Sequence, residues 1–225
     1  FYTLMIGCSD MGTGCDTILA QMAADGLGCD MDNIIVRGVD TDQSPYDSGS
    51  YASSTTYVTG GAVVKACESM RKRICEEAAA IMGLKSGEVD FDGETISEND
   101  NPEHSMTLSD LITSLEAGNG RIIEVTESHT SPVSPPPFMA GAAEIEVDLE
   151  TGKITPINYV AAVDCGTVIN TNLARIQTEG GIVQGMGMTL YEDVQYTEAG
   201  KMKNRNFMSY KIPTRLDMGS ISVEF

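Results

Sequence analysis

Histidine is scarce in this chain. Only His104 and His129 occur among 225 residues, and neither has a cysteine or a second histidine at metal-ligand spacing. A protein-ligated zinc is therefore disfavoured, and no Ser-His-Asp or Cys-His arrangement can be drawn. Positive charge is also short, with 14 basic against 33 acidic residues and a formal net charge of -19. Such a surface repels a nucleic-acid backbone or an anionic bilayer. No stretch approaches the ~20 consecutive apolar residues of a membrane span, and no basic, apolar, small-residue leader opens the chain. The expectation is a cytoplasmic protein with neither nucleic acid nor membrane among its partners. The six cysteines include no C-x-x-C pair. Most lie in apolar or helical stretches, as buried free thiols in a reducing compartment would.

What is present suffices for a core. With 41% hydrophobic residues, the chain can build one large domain or two small ones without disulfides or a structural metal. It opens on Phe1 inside a strand pattern and closes on the alternating run "SISVEF", which suggests a piece of a longer protein. "FYTLMIG" predicts a strand, Thr17 to Leu27 a helix closed by Gly28, and Asn33 to Val39 a second strand. Asp40 to Gly61 is polar, small and aperiodic, and loops of that length inside a domain are usually functional or disordered. A long helix is expected over residues 62–82. "GEVDFDGETI" predicts a hairpin turning at Asp92-Gly93, and "TLSDLITSLEAG" a helix with Thr107 and Asp110 in capping-box spacing.

Further on, "RIIEVTE" looks like a strand, and the Pro-rich "SHTSPVSPPPF" looks like a crossing segment. "MAGAAEIEVD" and "ITPINYVAAVD" form a hairpin through "LETGK". A glycine-interrupted helix follows over Leu173 to Leu190, then a hairpin around "TEAGK" and a strand at "ISVEF". Mixed order with several hairpins predicts an α+β fold of mixed or antiparallel sheets covered by helices, in two similar subdomains. The expected division is a first subdomain over 1–127, a crossing segment over 128–138 and a second subdomain over 139–225. No clear residue repeat between the halves is visible.

Two loops have the chemistry of an anion site. "MGTGCDT" sets Gly12 and Gly14 ahead of a helix, whose first N-H groups are unpaired and carry partial positive charge. It lacks the lysine of a P-loop and the third glycine of a dinucleotide fingerprint, so an ordinary strand-to-helix turn stands beside the phosphate reading. "SYASSTTYVTGG" places Ser53, Ser54, Thr55 and Thr56 before the next helix, either for a ligand or as a cluster of caps. In the last helix Gly180, Gly181, Gly185 and Gly187 each cost ~1 kcal/mol relative to alanine, so close packing or a cofactor against the backbone must compensate. "DFDGETISEND" has its glycine at the fourth place, not the sixth of an EF-hand loop, and is better explained as a turn.

Six segments in order, "DMGTGCDT…QMAADGLG", "DTDQSPYDSGSYASSTTYVTGGAVVKAC", "SPPPFMAGAAEIEVDLETGKI", "AAVDCGTVIN", "QTEGGIVQGMGMTLYED" and "YKIPTRLD", resemble the C-terminal part of the molybdenum-cofactor-binding subunit of the xanthine dehydrogenase and aldehyde oxidase family. The resemblance runs over nearly the whole chain. It implies that Gly12, Thr13 and Gly14 meet the phosphate end of the pterin cofactor, with Thr13 where the family carries glutamine. It implies the same role for Ala52, Ser53 and Ser54 in the second loop and for Gln177 in the helix-borne "Q-x-E-G". The metal is then held by the pterin dithiolene and not by side chains.

The implied cofactor is molybdenum-molybdopterin in its cytosine dinucleotide form, with iron-sulfur clusters and FAD on other subunits or domains. The implied reaction is oxidative hydroxylation of a purine-like heterocycle or an aldehyde. The implied partners are the remainder of the molybdenum subunit, the iron-sulfur and FAD subunits, and a small-molecule substrate. The family's catalytic glutamate belongs to a G-x-G-E motif expected beyond Phe225, and Glu224 does not match it. By this reading the chain contains no catalytic residue and is inactive alone. The alternative is a non-catalytic anion-binding or assembly module on the same scaffold.

Overall fold

Apolar residues at 19, 20, 23, 24 and 27 recur at helical spacing, and α1 (Cys15–Leu27) buries all of them together with Cys15. The helix ends at Gly28, whose φ of 75° lets its N-H and that of Cys29 turn back to the Ala24 carbonyl, a left-handed close that L-residues resist. The computed structural model describes residues 1–225, save the side chain of Asn119. It divides into two units, Phe1–Ser134 and Pro135–Phe225.

In the first unit, β1 (Tyr2–Ile6) and β2 (Ile34–Gly38) pair in parallel, Tyr2 beside Ile34 through Ile6 beside Gly38, with α1 as the crossover. α2 (Thr59–Met82) is the long organising helix. Its first half packs Val63 and Cys67 with Ile6, Leu19, Ala23 and Leu27 in one core. At Gly26 of α1 a Cβ would stand 2.9 Å from the Cys67 Cβ, so glycine permits the approach of the two helices. The second half of α2 packs Ile74, Ala78 and Ala79 against an antiparallel meander, β3 (Val89–Phe91), β4 (Thr95–Glu98) and β5 (Asn101–Thr107), and against α3 (Leu108–Asn119). Phe91, Ile96 and Leu111 are fully enclosed there.

The expected turn and cap chemistry is present. Asp92 Oδ1 accepts from Glu94 N and Thr95 N at 2.9 and 2.8 Å. Thr107 and Asp110 form the reciprocal capping box of α3. Arg71 of α2 donates to the carbonyls of Leu27 and Phe91, and its guanidinium lies 5.4 Å from the Phe91 ring centroid. It thereby ties the end of α1 to the end of β3.

The second unit is a long hairpin of β6 (Phe138–Val147) and β7 (Ile154–Asp164), extended by β8 (Ser220–Glu224) running parallel to β7. α4 (Thr171–Leu190) lies between β7 and β8 in the chain and buries Ile182 and Gly187. Each unit thus holds one parallel strand-helix-strand crossover, β1-α1-β2 and β7-α4-β8. The three-stranded meander has no counterpart in the second unit.

Several expectations are corrected. Residues 121–127 form no strand. They lack a neighbouring ladder, and side chains hold the segment onto α2 instead, through Arg121 to Glu77, Ser69 to Glu127 and Lys65 to the Ser128 carbonyl. The long loop ends earlier than Gly61, because α2 begins at Thr59. Around "TEAGK" a single bridge joins Tyr196 and Met202 in place of a hairpin of strands. All six cysteines are free, yet only Cys8, Cys15 and Cys67 are buried, while Cys165 is exposed on the turn after β7.

Candidate functional site

Between β1 and α1 the chain must reverse within residues 7–14, and it does so around one carboxylate. Asp10 Oδ1 accepts from the backbone N-H of Gly12 at 2.8 Å and of Gly14 at 3.3 Å, and Oδ2 accepts from Asp16 at 3.3 Å. These bonds, that from Gly12 foremost, hold the Asp10 carboxyl below the usual carboxylate range. Gly12 has φ 98° and Gly14 φ 79°, values that explain both glycines. A Cβ at Gly12 would meet nothing within 4 Å, so that face of the turn is open to approach. Thr13 sits half-buried between the two.

The second loop is strained. Ala52 and Ser53 are consecutive non-glycine residues with φ 50° and 57°, a conformation that costs about 1–3 kcal/mol at each residue and concentrates at functional sites. Ser54 closes it, its N-H and Oγ both donating to the Tyr51 carbonyl at 3.0 and 2.7 Å. The two loops are joined directly, because Ser50 Oγ donates to the Ser9 carbonyl at 3.0 Å. Asp47 supports the join. It accepts from Thr59 Oγ1 at 3.1 Å and from Gly49 N at 2.7 Å, and Gly7 packs against the Pro45–Asp47 backbone, where a Cβ would not fit.

The structure therefore brings together Gly12, Thr13 and Gly14 with Ala52, Ser53 and Ser54 as neighbouring loops of one unit. They do not line one cavity. Ala52 and Ser54 border a groove of about 1730 Å³, with Tyr51, Tyr57 and His129 on its walls, whereas the first turn and Ser53 lie outside it. His129 lays its ring against Gly61, and its Nδ1 is buried without a partner among the described residues.

Gln177 belongs to the second unit, exposed on α4. Of the four glycines on that helix, Gly187 alone is closely packed, against Glu192 and Pro213. At Gly180, Gly181 and Gly185 a Cβ would meet nothing within 4 Å. Packing inside the chain compensates only one of the four, and the face that Gln177 shares with Gly181 and Gly185 is bare.

Asp10, Cys15 and Asp16 offer ligand atoms within 4.8 Å of one another, but their chemistry suits a turn better than an ion. Asp10 is committed to three N-H groups, and burial pushes the Cys15 thiol up to about 12, so it stays protonated and donates to Asp16 Oδ1. A cation would have to displace all of these.

Sequence reasoning missed Asp10 and Ser50. The first had a legible signal, since Asp-x-Gly favours a side-chain turn onto the N-H two residues on. That signal also exposes a repeat. Asp10-Met11-Gly12-Thr13 follows the first strand of one crossover, and Asp164-Cys165-Gly166-Thr167 begins on the last residue of that of the other. Asp164 Oδ1 accepts from Gly166 N at 3.2 Å, as Asp10 does from Gly12.

A family model described as a molybdopterin cofactor-binding domain matches residues 2–219. The chain is 31% identical over 208 residues to a probable hypoxanthine oxidase of Escherichia coli (strain K12), covering 92% of this chain and 22% of that protein. It is 29% identical over 221 residues to the nicotine 6-hydroxylase large subunit of Paenarthrobacter nicotinovorans, covering 94% and 27%. Among solved structures, quinoline 2-oxidoreductase from Pseudomonas putida 86 superposes with a TM-score of 0.81 at 27% identity, over 99% of this chain and 29% of that one. The chain thus spans about a quarter of the length of these relatives.

Proposed function

The chain belongs to the xanthine dehydrogenase and aldehyde oxidase family of molybdenum hydroxylases as a molybdopterin cofactor-binding domain, and on that premise we propose that it holds the anionic end of the cofactor in an enzyme that hydroxylates a purine-like heterocycle or an aldehyde. The observation that carries this reading is the pairing of two small-residue loops, one of glycines and one in a strained left-handed conformation, fastened to each other by Ser50 and Ser9.

The donor set suits such a group. Gly12 leaves space for close approach, Thr13 and Ser53 add hydroxyls, and Ala52 contributes no bulk. When bound, the cofactor supplies the two-electron redox chemistry of the hydroxylation. In the first unit Thr13, Ala52, Ser53 and Ser54 bind and orient it, with Gly12 and Gly14 giving the turn its shape; on the second unit, taken by itself, Gln177 offers a side-chain amide. Thr13 reaches less far than the glutamine usual at its place, so its contact is a single hydroxyl. Support for a heterocyclic substrate comes from the relatives, a probable hypoxanthine oxidase and the large subunit of a nicotine 6-hydroxylase. The cytosine dinucleotide form of the cofactor, and iron-sulfur and FAD partners for electron transfer, belong to the same proposal.

The test is made on the complete complex. Molybdenum and released nucleotide are quantified, and turnover of hypoxanthine, xanthine and a simple aldehyde is compared. A Ser53→Ala, Ser54→Ala double variant and Gln177→Ala should each lower molybdenum content several-fold. A native complex without molybdenum would sink the proposal in favour of a non-catalytic scaffold.

A further inference from the structure

A helix N-terminus behind glycines invites the assumption that its free N-H groups receive the phosphate. Here the chain has already taken up part of that position. Gly14, the residue just before α1, has no side chain to cap with. Asp10, four residues earlier, supplies a carboxylate to the N-H of Gly12, Gly14 and Asp16.

The second unit offers an internal comparison. At the end of β7 the same Asp-x-Gly-Thr turn occurs, but among the described residues Asp164 accepts from Gly166 alone, and the start of α4 is capped by Asn170, whose side chain accepts from Leu173 N at 3.0 Å. In both crossovers a side chain of the protein closes the helix. In the first, the turn is short enough for one aspartate both to fold it and to cap it.

Resting on the cofactor-binding reading above, we propose that Asp10 is a positioning residue of the cofactor site, a resident anion that closes the N-terminus of α1 and holds Thr13 at the apex of the turn, so that the cofactor is met by Thr13 and the Ala52–Ser54 loop and not by the amides of Gly12, Gly14 and Asp16. Electrostatics favour this arrangement. A phosphate entering the same position would displace a carboxylate bound by three donors, or sit beside it at a cost in like-charge repulsion. Asp10 therefore steers the anionic group toward the neighbouring loop.

The experiment compares Asp10→Asn and Asp10→Glu with the unaltered complete complex. Hydrogen-exchange mass spectrometry follows residues 9–18, and molybdenum per chain is measured alongside. In Asp10→Asn, exchange at Gly12, Gly14 and Asp16 should quicken roughly tenfold, the scale of a lost cap, and molybdenum content should fall several-fold. Asp10→Glu, which keeps the charge, should restore both. Unchanged exchange in Asp10→Asn overturns the clamp. Quickened exchange with undiminished molybdenum overturns the positioning role. A rise in molybdenum retention would mean that Asp10 competes with the cofactor for those amides, which also overturns it. A native complex devoid of molybdenum instead overturns the function proposed above, and the exchange result then decides the clamp on its own.

Discussion

Substituting Gly12 by alanine separates what the turn needs for folding from what it offers a ligand. Gly12 holds φ 98° and donates to Asp10 at 2.8 Å, and an added Cβ would meet nothing within 4 Å. The cost is therefore conformational. An L-residue in the left-handed region costs about 1–2 kcal/mol, and 98° lies beyond the centre of that well, so ~2 kcal/mol is expected. Gly166 is the matched control, in the same Asp-x-Gly-Thr setting with equal space but φ 76°, and Gly166→Ala should cost nearer ~1 kcal/mol. Urea unfolding at constant m measures both. Gly12→Ala should also lower molybdenum content in the assembled enzyme by more than its stability loss accounts for, because the methyl group enters the space left for the ligand. A loss below about 0.5 kcal/mol would show that the turn does not hold this backbone. Undiminished molybdenum would show that the open face is not a binding face.

Other outcomes follow from named contacts. Phe91→Ala empties the centre of the second core, where the ring is 1% exposed, and should cost about 3–5 kcal/mol by thermal or urea unfolding. Ser50→Ala removes the hydroxyl that joins the loops and should cost about 1 kcal/mol while reducing molybdenum content. An aromatic disulfide reagent should label Cys165 at once and Cys8, Cys15 and Cys67 only on unfolding, since the last three are buried and burial pushes Cys15 up to about 12 and Cys67 to about 11. Acid should loosen the first turn, as exchange corrected for its intrinsic pH dependence and followed from neutral pH to well below the ordinary carboxylate value of 3.8 would report. The Asp10 carboxyl is held below its ordinary value, so its contribution is present above that value and is lost as pH falls through the lowered one.

The sequence was most informative where local chemistry decides the outcome. Leu19, Ala23 and Leu27 announce α1, Thr107 and Asp110 its counterpart in α3, and Asp92-Gly93 the hairpin. Where the outcome depends on a distant partner it was not. Ile122, Ile123 and Val125 have the composition of a strand, yet no neighbouring strand is available to them, and the ties that decide their path come from Ser69 and Glu77 on α2. The glycines and serines of the site were readable as small and polar. Their joining through Ser50 and Ser9 was not, since it links residues 41 apart. Asp10 was overlooked because it precedes the glycine motif and resembles any surface acid. The Asp-x-Gly-Thr repeat escaped for a related reason, since four residues recurring once, 154 positions apart (164 minus 10), leave no period to detect.

The double grip of Arg71 on the Leu27 and Phe91 carbonyls lies at the opposite end of α1 from the turn. A helix of 13 residues is a lever of about 20 Å, and a tilt of about 3° at its anchored end moves the far tip by about 1 Å. Displacement on that scale is enough to misalign a bound group. Loosening Arg71 should accordingly be felt as poorer ligand alignment at Gly12 and Thr13, a helix length from the lesion, before the fold itself gives way.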